Sequence, residues 1–283
     1  GPYHWFKINW INKSTGYLGR EKTAKVRAEA AAKGLEAGLK NILYVHFTMD
    51  DNLSLSEEIK ARYRSMYTGV FFKRYILGLW AMAEGIIYDM FDADKHVQKI
   101  TDFFRCLKDG GRYVSCDYGT QNATVFLLWN KGNNGKWYCV REYYYSGRAK
   151  GKQKTDGEYA DDFEKWLDGV PIRAVIVDPA AASFIAELRK RGYRVLKADN
   201  DVEDGIREVA SMLNMGLLVF CDTCINTIME FGSYIWDEKA AQLGEDRPVK
   251  ENDHAMDAVR YFVYTILSKR TGRVKNKAKY GFN

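Results

Sequence analysis

The sequence contains no apolar run long enough to cross a bilayer, so it encodes no membrane-spanning helix. Its N-terminus lacks the charged, apolar and small-residue pattern that directs secretion. The chain begins at Gly1 rather than Met, and reads as a fragment or a processed chain. A disulfide framework is missing too. The five cysteines (Cys106, Cys116, Cys139, Cys221 and Cys224) are odd in number and widely scattered, which favours a reducing cytoplasm. Cys221 and Cys224 form a C-x-x-C pair, but no second pair or adjacent histidine completes a zinc set. No glycine-rich loop ending in G-K-S/T occurs, and no Walker-type acidic motif. Without that backbone cradle for nucleotide phosphates, no ATP hydrolysis is expected of this chain. The C-terminal stretch has no acid at all. From Lys269 onward it carries Lys269, Arg270, Arg273, Lys275, Lys277 and Lys279, and these six account for the net charge of +6, since the rest balances 37 cations against 37 acids.

What is present is enough apolar material for a core. Hydrophobic residues are 46% of 283, which suits one large domain or one domain with a smaller piece. The first hundred residues show no compact pattern. Residues 22–40, rich in Ala, Lys and Glu, read as a helix, and Asn41–Thr48 (NILYVHFT) as a short strand. Ser56 is placed to cap a helix running to about Tyr67. From Gly111 the rhythm changes. Residues 112–118, 122–129 and 136–145 read as three successive strands, and a loop, GRAKGKQKTDG, leads to a helix at about 157–168. The apolar run closing at 172–178 predicts a buried strand. A helix over 181–191 stops at Gly192. Then come a strand at 193–198, a helix at 202–214, a short strand LLVF, a helix over 222–232 and a last helix from about Asn252 to Lys269. Met256, Val259, Val263 and Ile266 give that last helix one apolar stripe. Three strands in meander followed by alternating strands and helices predict an α/β fold. It is a ribonuclease-H-like mixed sheet flanked by helices, preceded by a helical or linker segment.

The chemistry lies in carboxylates at the ends of these elements. Asp117 closes the first strand beside Gly119, and Asp178 closes the buried strand before Pro179. A carboxylate at the tip of an apolar strand is costly to bury unless paired or metal-bound. The alternative for each is a cap or turn former, and Asp178 could cap the helix at 181. The last helix adds Asp253, His254 and Asp257 on one face. The alternative there is an acidic first turn at the positive end of the helix dipole, which suits Asp253 better than Asp257, read as more than a turn in. Together these groups suit Mg²⁺ or Mn²⁺ rather than zinc. Two such ions about 4 Å apart activate water and stabilise the leaving oxygen of a phosphodiester. Asp117, Asp178 and Asp257 are expected to converge, and without ions to be strained, partly protonated or spread apart. His254 would bind metal or orient water or phosphate. Arg148, Lys150, Lys152 and Lys154 alternate in the loop after the third strand, and Lys275 and Lys277 stand in the tail. Both groups fit phosphate contacts without sequence readout, or else a solvated loop and terminus.

The segments VSCDYGTQNATVFLLW, IRAVIVDPAAASFIAELRKRGYRV, KADNDVEDGIREV and ENDHAMDAVRYFVY, in that order, resemble the large subunit of phage terminases. Upstream, GPYHWFKINWI, VHFTMDDN and FKRYILGLWAMAEGIIYDMF resemble the end of that family's ATPase domain and its linker. The resemblance implies a remnant of the ATPase domain and linker over 1–100, a ribonuclease-H-like nuclease domain over 101–270 and a basic tail over 271–283. It implies an Mg²⁺- or Mn²⁺-dependent endonuclease that cuts concatemeric phage DNA with two ions. Asp117, Asp178 and Asp257 would be the metal ligands, with Asp253 as a further candidate and His254 as the accessory histidine. Implied partners are double-stranded DNA, the portal and the small terminase subunit, in the host bacterial cytoplasm and with no membrane. A resolvase- or transposase-type enzyme shares the acidic site, but the upstream GLWAMAEGIIY segment favours a terminase. A non-catalytic DNA-binding assembly module is the other alternative, and the complete acidic set argues against it.

Overall fold

The six strands expected after residue 111, joined by a short unexpected strand at 97–98, pair into one mixed sheet of seven among the described residues. They are β1 (Val97–Gln98), β2 (Tyr113–Asp117), β3 (Ala123–Lys131), β4 (Trp137–Ser146), β5 (Ala174–Val177), β6 (Val195–Lys197) and β7 (Leu218–Cys221). Their spatial order is β1-β7-β4-β3-β2-β5-β6. The computed structural model describes residues 2–14, 19–32, 40, 42–120 and 122–268. The basic tail with Lys275 and Lys277 lies outside the described residues.

β2, β3 and β4 form the antiparallel meander, and β5, β6, β7 and β1 join in parallel. As a result every strand but β3 ends at the same edge of the sheet. Side-chain alternation sorts the two faces. Val114 and Cys116 of β2, Phe126 and Leu128 of β3, and Val175 and Val177 of β5 pack in one core. That core is completed by helices α1 (Asp156–Leu167) and α2 (Ala182–Lys190), through Tyr159, Phe163, Phe184 and Leu188. The opposite face receives α5 (His254–Phe262), where Phe262 stacks on the fully buried Trp129 at 4.4 Å and Trp129 donates to Ser115 Oγ. Between them in sequence lie α3 (Val202–Asn214) and α4 (Ile225–Ser233).

The chain forms two compact units, Gly1–Gly85 with Ile235–Val249, and Ile86–Tyr234 with Lys250–Asn283. The division at 85/86 puts residues 97–98 in the second unit, where β1 pairs with β7. In the first unit, helix Glu57–Ser65 is capped by Ser56 as expected. The helix expected over 22–40 spans Gly19–Ala32, and 33–39 lie outside the described residues. Residues 42–48 form no strand. They pair with no ladder among the described residues, and Leu43, Tyr44, Val45 and Phe47 are exposed. Apolar, β-branched composition alone does not make a strand without a partner edge. Segment 235–249 belongs to this unit through the Arg74–Asp246 ion pair and the Phe71–Trp236 edge contact.

Candidate active site

Asp117 is the fifth residue of β2 and shares its face with Tyr113 and Ser115, so alternation aims it toward α5. Its Oδ2 lies 2.9 Å from His254 Nδ1, in the first turn of that helix. Cys116 of β2 is in register with Val177 of β5. Asp117 and Asp178 therefore leave two adjacent parallel strands side by side. Asp178 Oδ1 accepts from Ala180 N at 2.7 Å, so one oxygen is indeed a turn former. Its Oδ2 accepts from the hydroxyl of Tyr261 on α5, also at 2.7 Å.

Helix α5 differs from its expected form in two ways. It is buried nearly all round rather than along one stripe, since α3, α4 and the sheet all pack on it. Its start at His254 also puts Asp257 within the first turn, where the helix dipole favours a carboxylate. Asn252 turns the chain into it with a left-handed φ of 51°. Asp253 occupies the N-cap but makes no side-chain cap bond. That task falls to Glu230 of α4, whose Oε2 accepts from Ala255 N at 2.7 Å and Met256 N at 3.2 Å. Its Oε1 accepts from Tyr144 of β4. The start of α4 is held likewise by Glu142 of β4, which accepts from Thr227 N and Asn226 N. Sequence reasoning missed Glu230 and Glu142. The one signal for Glu230 is a lone acid inside the apolar helix segment INTIMEFGS.

Two cations were also missed. Arg260, 2% exposed, donates to Asp257 Oδ1 from Nη2 at 2.8 Å and to the carbonyls of Asn200 and Asp201. Lys250 Nζ lies 3.4 Å from Asp253 Oδ2 and 3.7 Å from Asp257 Oδ2. Gly205 of α3 makes room for the arginine, because a Cβ there would fall 2.5 Å from Arg260 Cγ.

Asp117, Asp178, Asp253, His254 and Asp257 line one cavity of about 400 Å³, with Lys250, Arg260 and Tyr261. Burial raises the Asp117 carboxyl to about 6, against the hydrogen bond from His254; the charges of Asp257 and Asp253 add to the rise. Burial disfavours imidazolium at His254, but the bond and charge of Asp117, with Asp253 and Glu230, outweigh it and leave its pKa raised. Burial likewise lifts Glu230 to about 7 against its three hydrogen bonds. Among the described residues, no three acidic, histidine or cysteine groups are gathered about a single point at metal-binding separation. Each carboxylate is held instead by a protein partner.

The loop after β4 is more ordered than its composition suggested. Gly147–Lys150 form a helical turn ended by Gly151 at φ 64°. Arg148, Lys150 and Lys152 are exposed, and they stem from the sheet edge that bears Asp117. Lys154 departs from the expected set of open cations. It is ion-paired with Asp162 and lies 4.0 Å over the Tyr145 ring. Cys221 and Cys224 are free thiols in the core, with Cys224 Sγ 3.8 Å from Cys139 Sγ.

Comparison with known proteins adds four findings. The model of the terminase RNaseH-like domain family matches residues 116–265. The large terminase of a thermophilic bacteriophage is 51% identical with a TM-score of 0.79, over 94% of this chain and 61% of that one. The large terminase subunit of Escherichia phage T5 is 26% identical over 84% of this chain and 55% of its own length. The nuclease domain of the P22 large terminase, at 18% identity and a TM-score of 0.51, shares the fold over 65% of this chain and 94% of its own. The chain thus spans about three-fifths of the thermophilic phage's protein and just over half of the T5 protein.

Proposed function

From the premise that this chain belongs to the terminase RNaseH-like domain family, we propose that its sheet unit is a divalent-metal-dependent endonuclease that cuts concatemeric phage DNA during packaging. The observation that carries this reading is the meeting of Asp117, Asp178, Asp253, His254 and Asp257, from two strand ends and one helix, around one cavity. The donor set fits a hard cation. Four carboxylates surround the space, and Asp117, raised to about 6 chiefly by burial and further by the charges of Asp257 and Asp253, is an anionic ligand that a bound cation would keep ionised. In this reading Asp117, Asp178 and Asp257 hold two Mg²⁺ or Mn²⁺ ions, with Asp253 as a further ligand. When bound, such ions polarise phosphoryl oxygens and lower the pKa of water.

The chain's own residues supply placement. Tyr261 fixes one oxygen of Asp178 and Arg260 fixes one oxygen of Asp257, so neither carboxylate can rotate freely. With Nδ1 committed to Asp117, His254 offers Nε2 to metal, water or a phosphate oxygen. Arg148, Lys150 and Lys152 would meet duplex phosphates as fixed positive charge. The portal and the small terminase subunit, as partners in the host bacterial cytoplasm, belong to the same reading through the family resemblance.

The test is nicking of supercoiled plasmid with Mn²⁺ or Mg²⁺ against an EDTA blank. Asp117→Asn and Asp257→Asn should abolish cleavage while leaving DNA affinity nearly unchanged, because phosphate affinity comes from Lys and Arg. His254→Ala should reduce the rate less completely. Wild-type cleavage by the two asparagine variants in Mn²⁺ would end the metal-centre reading.

A further inference from the structure

Lys250 stands three residues before Asp253, and its ammonium reaches the two buried carboxylates Asp253 and Asp257. The lysine side chain is 67% exposed and those of the two acids are 7% and 12% exposed. A long stem therefore leads in from solvent and delivers its charge at the mouth of a buried acidic pair. The N-terminus of α5 repels a cation, so the attraction that holds the ammonium there comes from the carboxylates. The oxygens it faces are also distinctive. Asp257 Oδ1 belongs to Arg260, and Asp253 Oδ1 faces His254 Nδ1 at 4.0 Å. Lys250 takes the remaining Oδ2 of each acid. A divalent ion that uses these oxygens would stand beside the ammonium, and two cations at such a separation repel.

Resting on the reading of this cavity as a metal centre, we propose that Lys250 is a placeholder cation. Its ammonium neutralises Asp253 and Asp257 until a divalent ion arrives, and then swings into solvent. Metal loading is thus an exchange of one cation for another, and Lys250 sets how much free metal the centre needs. Arg260 has no such exit, since it is buried and also bonded to two backbone carbonyls.

The experiment is calorimetric titration of Mn²⁺ into the metal-free chain, with thermal melts in parallel. Lys250→Met keeps the stem and deletes the charge, Lys250→Gln is a second neutral variant, and Lys250→Arg keeps the charge. The neutral variants should bind Mn²⁺ roughly three- to tenfold more tightly than wild type, with Lys250→Arg close to wild type. The metal-free neutral variants should melt lower, and Mn²⁺ should raise their Tm by more than it raises that of wild type. Equal Kd values and equal Tm increments in wild type and both neutral variants would overturn the placeholder while leaving the metal centre intact. Failure of wild type to take up Mn²⁺ at all would overturn the metal centre, and the placeholder with it.

Discussion

Glu230 is a buried carboxylate that takes two helix N–H groups and a tyrosine hydroxyl, and this gives the metal-free protein a pH dependence. Its folded pKa of about 7 lies above the ordinary glutamate value. Between roughly pH 4.5 and 7 the native state therefore keeps a proton that the unfolded chain has released, and stability falls as pH rises. Asp117, raised to about 6, acts in the same direction over a lower window. The raised His254 contributes stability below its unfolded pKa and loses it as pH climbs through the folded one. In Glu230→Gln, the amide oxygen still accepts from Ala255 and Met256, and the amide nitrogen can donate to Tyr144. Melts in EDTA at about pH 5.5 and 8 should show a shallower loss in this variant, by on the order of 2 kcal/mol. Parallel curves for variant and wild type would show that Glu230 does not titrate in this window. Asp117, Asp178, His254 and Asp257 could be read from the sequence because each stands at a strand end or on one helix face, which are local patterns. Glu230, Lys250 and Arg260 could not, because their roles depend on groups that only the fold brings to them.

Among the elements, α5 shows where pattern reading stops. Its apolar stripe placed it correctly on the sheet, but burial on every side arises from α3 and α4, which the local sequence does not encode. The 42–48 segment shows the converse, strand-like composition with no edge to pair with. The α3–α5 contact depends on a missing side chain. Gly205 lies under the Arg260 stem, and Arg260 anchors Asp257. Gly205→Ala should gain about 1 kcal/mol in helix propensity. It should lose about 1–3 kcal/mol to overpacking against a buried arginine. The expected result is a lower Tm together with weaker Mn²⁺ binding, as Arg260 is pushed off Asp257. A Tm at or above wild type with unchanged Mn²⁺ affinity would show that the stem gives way freely. Arg260→Met is the harsher test. Leaving buried Asp257 with only the solvent-facing Lys250 beside it should cost up to about 3–5 kcal/mol, read from urea titration.

For the whole molecule, the proposed reading places the DNA-facing charges on the edge where every strand but β3 ends. Replacing Arg148, Lys150 and Lys152 with Gln should weaken DNA binding with little sequence bias and flatten its salt dependence. Unchanged affinity and slope would make the loop a solvated connector. Lys154→Gln should act mainly on stability, since that lysine is committed to Asp162 and Tyr145. The pure chain should release no phosphate from ATP above a blank, given the missing phosphate loop. The order of strands and helices was legible in the sequence because it is written in runs and breaks. The union of residues 235–249 with the first unit was not, because it rests on contacts such as Arg74 with Asp246, 172 residues apart. A similar separation governs the centre itself, where Asp117 meets His254 across 137 residues of chain. On the ribosome, β2 emerges first and must wait for α5. Every nascent chain that stops short of that helix holds Asp117 and Asp178 without Asp253, His254 or Asp257. In the proposed reading the centre therefore has no half-built form, and cleavage would wait until α5 has been made and docked.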